Sequence, residues 1–539
     1  MAPGGDKYIM HAIAKWVGAL SSGKETTFDW SDEEGVERMR TILDYDPRFI
    51  PPTESPLEKR VPEPWALGRH AVVGMNASDI LEEEIKRFAA WAAPTSAETA
   101  ARQLVIQQTQ DFIRTNMIKV VPRVRTQLFG SGATGLALAT SDIDIRVYNA
   151  DNRESWEQRH RAMGHPMRVL ASQMGRSEDF MCVTMRWSNY PIINAQHRAT
   201  GIDIQIVSSP STAKQEAVTA TYLAELPHLR DLFHIMRTML GMRNLVDVFN
   251  GGVGSYGLFI MLVAALKRGQ RSSAPPRTVV EQFLHILDFY AHFPLTTDGL
   301  TVEPRPKPFK KHPLNSIASG VRQSRIHAAS RRSDDARAGQ WAIGVLRPLQ
   351  PYLLCLQDPA DPTNDLGRKS NAIKHLQASC QYVLIGVRKK LELVDARRRT
   401  EWRQDSILDG VVGRCHEVLQ ERRRRVEEWG KEKAELEELR RREEGAVGTG
   451  EAGGGQEVIA VEGIATEGTA AEGMGEEVGE ESGELSEADR AAWERSREAE
   501  RAELEELRRE EAAVDAEGEE GMAAEGGEAK REAVATSSS

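Results

Sequence analysis

Two short segments in which isoleucine alternates with aspartate constrain this chain most: Asp142-Ile143-Asp144-Ile145 and, about 60 residues on, Ile202-Asp203-Ile204-Gln205-Ile206. A period of two is the period of a strand, so Ile143, Ile145 and Val147 turn into a core and leave Asp142 and Asp144 side by side on the opposite face. Carboxylates so placed repel one another. Unless one is protonated they need a cation, and oxygen-only ligands facing an open site favour Mg²⁺ over zinc. If the second strand pairs beside the first, Asp203 joins the same face. Three converging carboxylates can hold two magnesium ions, the arrangement that suits phosphoryl or nucleotidyl transfer by in-line displacement. Ahead of them stands Leu128-Phe129-Gly130-Ser131. Its glycine permits close backbone approach, and its N–H groups and hydroxyl suit triphosphate oxygens. An isolated Asp-x-Asp is more often a solvated strand face; the ordered set carries the signal.

Around this strand pattern the periodicity is helical. Ser78–Trp91 puts Ile80, Leu81, Ile85, Phe88 and Ala89 on one face, with Ser78 or Asp79 as cap, and a second helix runs from Ser96 to about Met117. Long apolar-periodic segments return between Ala213 and Leu393. A small mixed α/β unit therefore sits inside a helical one. Prolines 51, 52, 56, 62 and 64 make residues 1–67 read as a flexible arm. The expected division is the arm at 1–67, the first part of a helical domain at 68–94, the α/β unit at 95–212, the rest of the helical domain at 213–390, a charged helical segment at 391–444 and a low-complexity tail at 445–539.

Charge is divided unevenly along the chain. The formal net charge is −11. From Ala446 onward about 27 acidic side chains face about 8 basic ones, which leaves about +8 for the preceding residues. The Gly/Ala/Glu-rich tail cannot bury enough apolar area to offset its chain entropy, so disorder is expected there. Between Glu303 and Arg337, basic residues such as Arg305, Lys310, Arg325 and Arg332 outnumber acids in a Pro-containing loop suited to phosphates. Arg422 to Arg425 read either as a nuclear-import signal or as an exposed charged helix. The cysteines, Cys182, Cys355, Cys380 and Cys415, form no CxxC pair, which excludes a disulfide framework and a zinc finger built from them. No apolar run approaches the roughly 18 residues of a membrane span. A soluble intracellular protein without a membrane partner is expected.

LFGSGATGLALATSDIDIRVYN resembles the signature of the DNA polymerase β-like nucleotidyltransferase superfamily. The helices before it, the post-catalytic LRDLFHIMRTMLGMRNLVDVFNGGVGSYGLFIML and the loop LCLQDPADPTNDLGRKSNAI resemble those of the non-templated poly(A) polymerases of nuclear RNA surveillance, the TRAMP type. The resemblance covers roughly Pro64 to Lys390. It implies an α+β fold, a polymerase β-like nucleotidyltransferase domain with a mixed sheet and helices, packed on a helical central and PAP-associated domain. It implies that Asp142, Asp144 and Asp203 are catalytic and hold two Mg²⁺ ions, with Mn²⁺ as substitute. Gly130 and Ser131 would bind triphosphate, with Arg237 and Ser255 on phosphate, Tyr256 stacked on the base, and Asn364 and Arg368 reading its edge. The implied reaction joins AMP from ATP to an RNA 3′ end in the nucleus, beside a zinc-knuckle RNA-binding protein and an RNA helicase.

The chain departs from that family at several positions. Arg237 stands where relatives usually have Lys, and Gly241 where they often have a long polar residue; no ribose-contacting Asn is evident in SSPSTAKQEAV. No histidine lies between Asp358 and Arg368, where relatives that add uridine often carry one. A terminal uridylyltransferase and a catalytically impaired scaffold are the alternative readings.

Overall fold

The computed structural model describes residues 44–53, 63–68, 70–150, 163–187, 190–303, 305–312, 339–340, 343–347, 349–397, 406–413 and 416–448. The acidic tail beyond Gly448 and most of the basic loop after His312 lie outside the described residues.

A five-stranded mixed sheet forms the α/β unit. Its strands are β1 (Val124–Phe129), β2 (Ile143–Asn149), β3 (Phe180–Trp187), β4 (Pro191–His197) and β5 (Asp203–Val207), in the spatial order β1-β2-β5-β4-β3. Only β2 and β5 are parallel; the other pairs are antiparallel. Alternation works as the pattern predicts, with Ile143, Ile145, Val147, Ile204 and Ile206 all buried. They pack with two helices, α2 (Ser96–Met117) and α4 (Gly164–Arg176), in one core. The other sheet face carries the carboxylates. A five-residue helix, α3 (Gly130–Thr134), follows β1 directly.

The helical domain is built from α1 (Ala77–Ala92), α5 (Ala213–Glu225), α6 (Leu229–Gly241), α7 (Ser255–Gly269), α8 (Val279–His292) and α9 (Ile373–Arg397), with a short hairpin of β6 (Asp298–Thr301) and β7 (Lys307–Lys310). In α7 every residue from Gly257 to Leu266 is buried. A helix apolar all round belongs at the centre of a domain. The sequence thus enters the helical domain, leaves it for the α/β unit and returns. The architecture is mixed α+β, a five-stranded sheet unit beside a helical domain.

Several local expectations need correction. The cap of α1 is Asn76, not Ser78 or Asp79: Asn76 Oδ1 accepts from Asp79 N at 2.8 Å while Asp79 Oδ2 accepts from Asn76 N, a reciprocal capping box. Helix α4 and strands β3 and β4 were not legible from periodicity. The described parts of the arm are not loose. Tyr45 donates its hydroxyl to Asn371 O at 2.6 Å, and Trp65 is 1% exposed, edge-on to Phe88 at 5.0 Å. Trp65 Nε1 donates to Ser406 Oγ, which donates in turn to buried Glu84 on α1. Burial pushes the Glu84 carboxyl up to about 7.

Two further helices, α10 (Asp409–Val412) and α11 (His416–Gly448), close the described chain. The first lies on the helical domain, whereas α11 runs along α2 of the α/β unit. At their crossing a Cβ on Gly430 would stand 2.7 Å from Ala101 Cβ, so only glycine allows this approach. Val426 is buried in the sheet's own core. Arg423 pairs with Glu98 at 2.8 Å and donates to the carbonyls of Trp91 and Ala93, so this part of the basic run is engaged in the fold.

Removing the Trp65 ring leaves a cavity and takes one hydrogen bond from Ser406 Oγ, so Trp65→Ala should lower stability by about 3–5 kcal/mol in urea denaturation.

Candidate functional site

The carboxylates sit where the sheet begins. Phe129 on β1 pairs with Asp144 on β2, so the turn after Phe129 lies against the Asp144 carboxyl. Gly130 has φ of +66°, and a Cβ there would collide with that carboxyl. Both the backbone conformation and the space demand glycine.

Asp144 is pushed up to about 7 by burial and by the neighbouring Asp142 charge, with Arg102 pulling the other way. Arg102 is the residue sequence reasoning missed. It lies on α2, 8% exposed, and donates through Nη2 to the carbonyls of Ser141 at 2.8 Å and Asp142 at 3.0 Å. A guanidinium at a buried helical position was the available signal. Its own pKa is lowered, first by burial and then by the charge of Arg422, while Asp142, Glu98 and Asp144 oppose this.

The parallel register pairs Ile143 with Ile204 and Asp144 with Gln205, which puts Asp203 level with Asp142 on the same sheet face. The side chains do not converge. Among the described residues no group of three or more His, Cys, Asp or Glu side chains is gathered tightly enough to hold a metal ion. Asp203 instead accepts from Gln196 Nε2 at 3.0 Å and lies 3.9 Å from Arg422 Nη2 on α11. Both partners escaped sequence reasoning, Gln196 because β4 itself was not recognised.

Across the cleft, Arg237 on α6 donates from Nε to Ser255 Oγ at 3.2 Å, at the first turn of α7. Burial lowers the Arg237 pKa and Asp142 opposes the shift, so this guanidinium is in electrostatic reach of Asp142 while bonded to the helical domain. The two sequence departures are physically linked. A Cβ at 241 would stand 3.3 Å from Arg237 Nη1, so Gly241 leaves room for the broader guanidinium.

Next to Ser255, Tyr256 is half-buried and donates its hydroxyl to Asp358 Oδ1 at 2.9 Å; burial, then Asp358, raises its pKa. Asp358 is fully buried. Its other oxygen accepts from Asn364 Nδ2 at 3.0 Å, and Asp361 Oδ1 accepts from Thr363 N and Oγ1, a self-bonded Asx turn. The amide of Asn364 thus spends a donor on Asp358. Arg368 is exposed on the same loop. The structure therefore joins Arg237, Ser255, Tyr256 and Asn364 in one chain of contacts, with Asp358 as the member that sequence reasoning did not single out.

Residues 81–223 match the family described as "Poly(A) RNA polymerase, mitochondrial-like, central palm domain". This stretch is similar to the palm domain of poly(A) RNA polymerases. Beyond the palm, the chain is similar to the poly(A) RNA polymerase cid14 of Schizosaccharomyces pombe, 26% identical over 324 residues, covering 59% of this chain and 41% of that protein. It is also similar to the inactive poly(A) RNA polymerase protein Trf4-2 of Drosophila melanogaster, 23% identical over 305 residues, covering 56% of this chain and 66% of that protein. The chain thus spans less than two thirds of the length of each. The polymerase core of TRAMP, an RNA surveillance complex, shares the fold with TM-score 0.50 at 21% identity, covering 65% of this chain and 99% of that one. Helix α11 lies outside the matched palm residues.

The palm carboxyls also set a stability signature. The folded Asp144 carboxyl takes up its proton near pH 7 and an unfolded one near 3.8, so ionising it within the fold costs stability as pH rises between those values. In EDTA, Asp144→Asn should therefore be more stable than the parent by about 1–2 kcal/mol at pH 8, a gain that disappears toward pH 4 in thermal melts.

Proposed function

We propose that the protein transfers AMP from ATP to RNA 3′ ends without a template, releasing pyrophosphate, and that the reaction depends on Mg²⁺. The observation that carries this reading is the Asp144 carboxyl, buried against Asp142 beside the positive-φ Gly130, with Arg237 in electrostatic reach of Asp142. Two hard carboxylates under mutual repulsion, short of counter-charge, fit a divalent ion. Asp142 and Asp144 would hold it, with Asp203 as the third ligand. When bound, Mg²⁺ or its substitute Mn²⁺ supplies an activated 3′-hydroxyl and neutralises charge on the leaving pyrophosphate.

The chain's own residues provide the rest. The Gly130-Ser131 turn and the first turn of α7 at Ser255 offer N–H and hydroxyl donors to triphosphate oxygens. Arg237, fixed by Ser255, adds a cation between the two halves. Tyr256, oriented by Asp358, presents its ring as a stacking surface. Asn364, with its amide nitrogen on Asp358, keeps Oδ1 as an acceptor, which matches the exocyclic amine of adenine. Arg368 stands beside it as the second base-reading contact. Work in nuclear RNA surveillance, with a zinc-knuckle RNA-binding protein and an RNA helicase supplying RNA affinity, fits a chain in which no RNA-recognition signature of its own is evident.

The test is extension of a short labelled RNA by the full chain with each nucleoside triphosphate and Mg²⁺. ATP should be preferred, and Asp144→Ala should reduce extension about a thousandfold while its circular dichroism stays that of the parent. A preference for UTP would keep the fold and reject the substrate. No addition by the wild type, with its partners and Mg²⁺ present, would make the protein a scaffold.

A further inference from the structure

The carboxylate of Asp203 is not waiting empty-handed. Arg422 Nη2 lies 3.9 Å from Asp203 Oδ2, the Arg422 side chain 26% exposed and that of Asp203 55% exposed. Both Nε and Nη2 of Arg422 are buried without a hydrogen-bond partner. A buried guanidinium that leaves donors unspent is unfavourable unless an anion faces it. A second cation, Arg102, lies close enough that the charge of Arg422 disfavours its own. The nearby carboxylates, Asp203 above all, are what make the position tolerable. Arg422 cannot relax away by moving its helix. α11 is held against α2 and its N-cap by the residues that follow Arg422: Arg423 on Glu98, Thr95 Oγ1 on Glu427 Oε1 at 2.5 Å, Val426 in the palm core and Gly430 against Ala101.

We propose that Arg422 is a positioning residue that acts as the stand-in cation of Asp203, keeping this carboxylate apart from the Asp142–Asp144 pair until a divalent ion replaces it. The inference rests on the metal-dependent reading proposed above. It accounts for why three carboxylates on one sheet face do not converge: Gln196 holds one oxygen of Asp203 and Arg422 attracts the other. Metal binding then becomes an exchange, in which the ion must win Asp203 from an arginine supplied by a helix outside the matched palm residues. The apparent metal affinity is lower than the bare carboxylates would give.

The experiment titrates Mn²⁺ alone into the full-length protein, without nucleotide or RNA, and counts free ion by electron paramagnetic resonance. Arg422→Gln should tighten Mn²⁺ binding about three- to fivefold, the scale of a partly exposed ion pair. Arg422→Lys, which keeps the charge, should return the affinity toward that of the wild type. Arg422→Ala takes the place of the amide if that variant does not fold. The gain must pass through Asp203: in an Asp203→Asn background the same Arg422→Gln change should tighten nothing. Arg423→Gln, which loosens helix docking, should lower the melting temperature and leave Mn²⁺ affinity where it was. Unchanged or weaker binding by a well-folded Arg422→Gln protein overturns the inference, as does a gain of equal size in the Asp203→Asn background. If the wild type binds Mn²⁺ and Asp203→Asn weakens that binding, the metal reading survives such a failure; if the wild type binds no Mn²⁺, both fall.

Discussion

The mutual repulsion of Asp142 and Asp144 organises the site. Asp142 immediately precedes β2 and Asp144 lies on it, so strand alternation puts both carboxyls on one face, and burial denies Asp144 the water that would screen its charge. The surroundings answer this cost in two ways. Arg102 reaches over from α2 to the backbone that carries Asp142, and Gly130 turns through a left-handed conformation because any side chain there would strike Asp144. Neither feature stabilises the fold as economically as an apolar side chain would. They are intelligible as the cost of keeping negative charge concentrated for a ligand.

In the helical domain a second polar cluster depends on Asp358. One fully buried carboxylate receives the Tyr256 hydroxyl, the Asn364 amide and the backbone N–H of Ala360 at 2.8 Å. Those bonds fix a ring and a polar edge relative to each other across about a hundred residues of sequence. A loop that satisfies its own backbone in this way is both a stable turn and a preorganised surface. The two descriptions of the PADPTND segment, structural and functional, do not compete.

Much of this architecture is legible in the amino-acid order. The isoleucine–aspartate alternation locates β2 and β5, and the helical period finds α1 and α2, because in each case one face is buried and the other is not. Strand β3 is harder to see because its pairing is interrupted between Met181 and Thr184, with Cys182 at a positive φ, and β4 places His197 among its inward residues. The helix α4 opens with Gly164 and Pro166, which read as a loop. Within the site, the carboxylates and the Gly130-Ser131 turn announce themselves locally. Arg102, Gln196, Asp358 and Arg422 do not, since each matters only through a partner distant in sequence: Arg422 meets Asp203, and Arg102 meets Asp142.

The position of Val426 inside the palm core has a consequence for biosynthesis. The sheet and its two covering helices are translated by residue 207, yet the core they enclose is completed by a side chain more than two hundred positions later. On the ribosome the palm must therefore wait, with the patch around Ala101 uncovered, until α11 emerges from the exit tunnel. A nascent chain of this design keeps an adhesive apolar surface during elongation, and its sheet core closes only after α11 has been made.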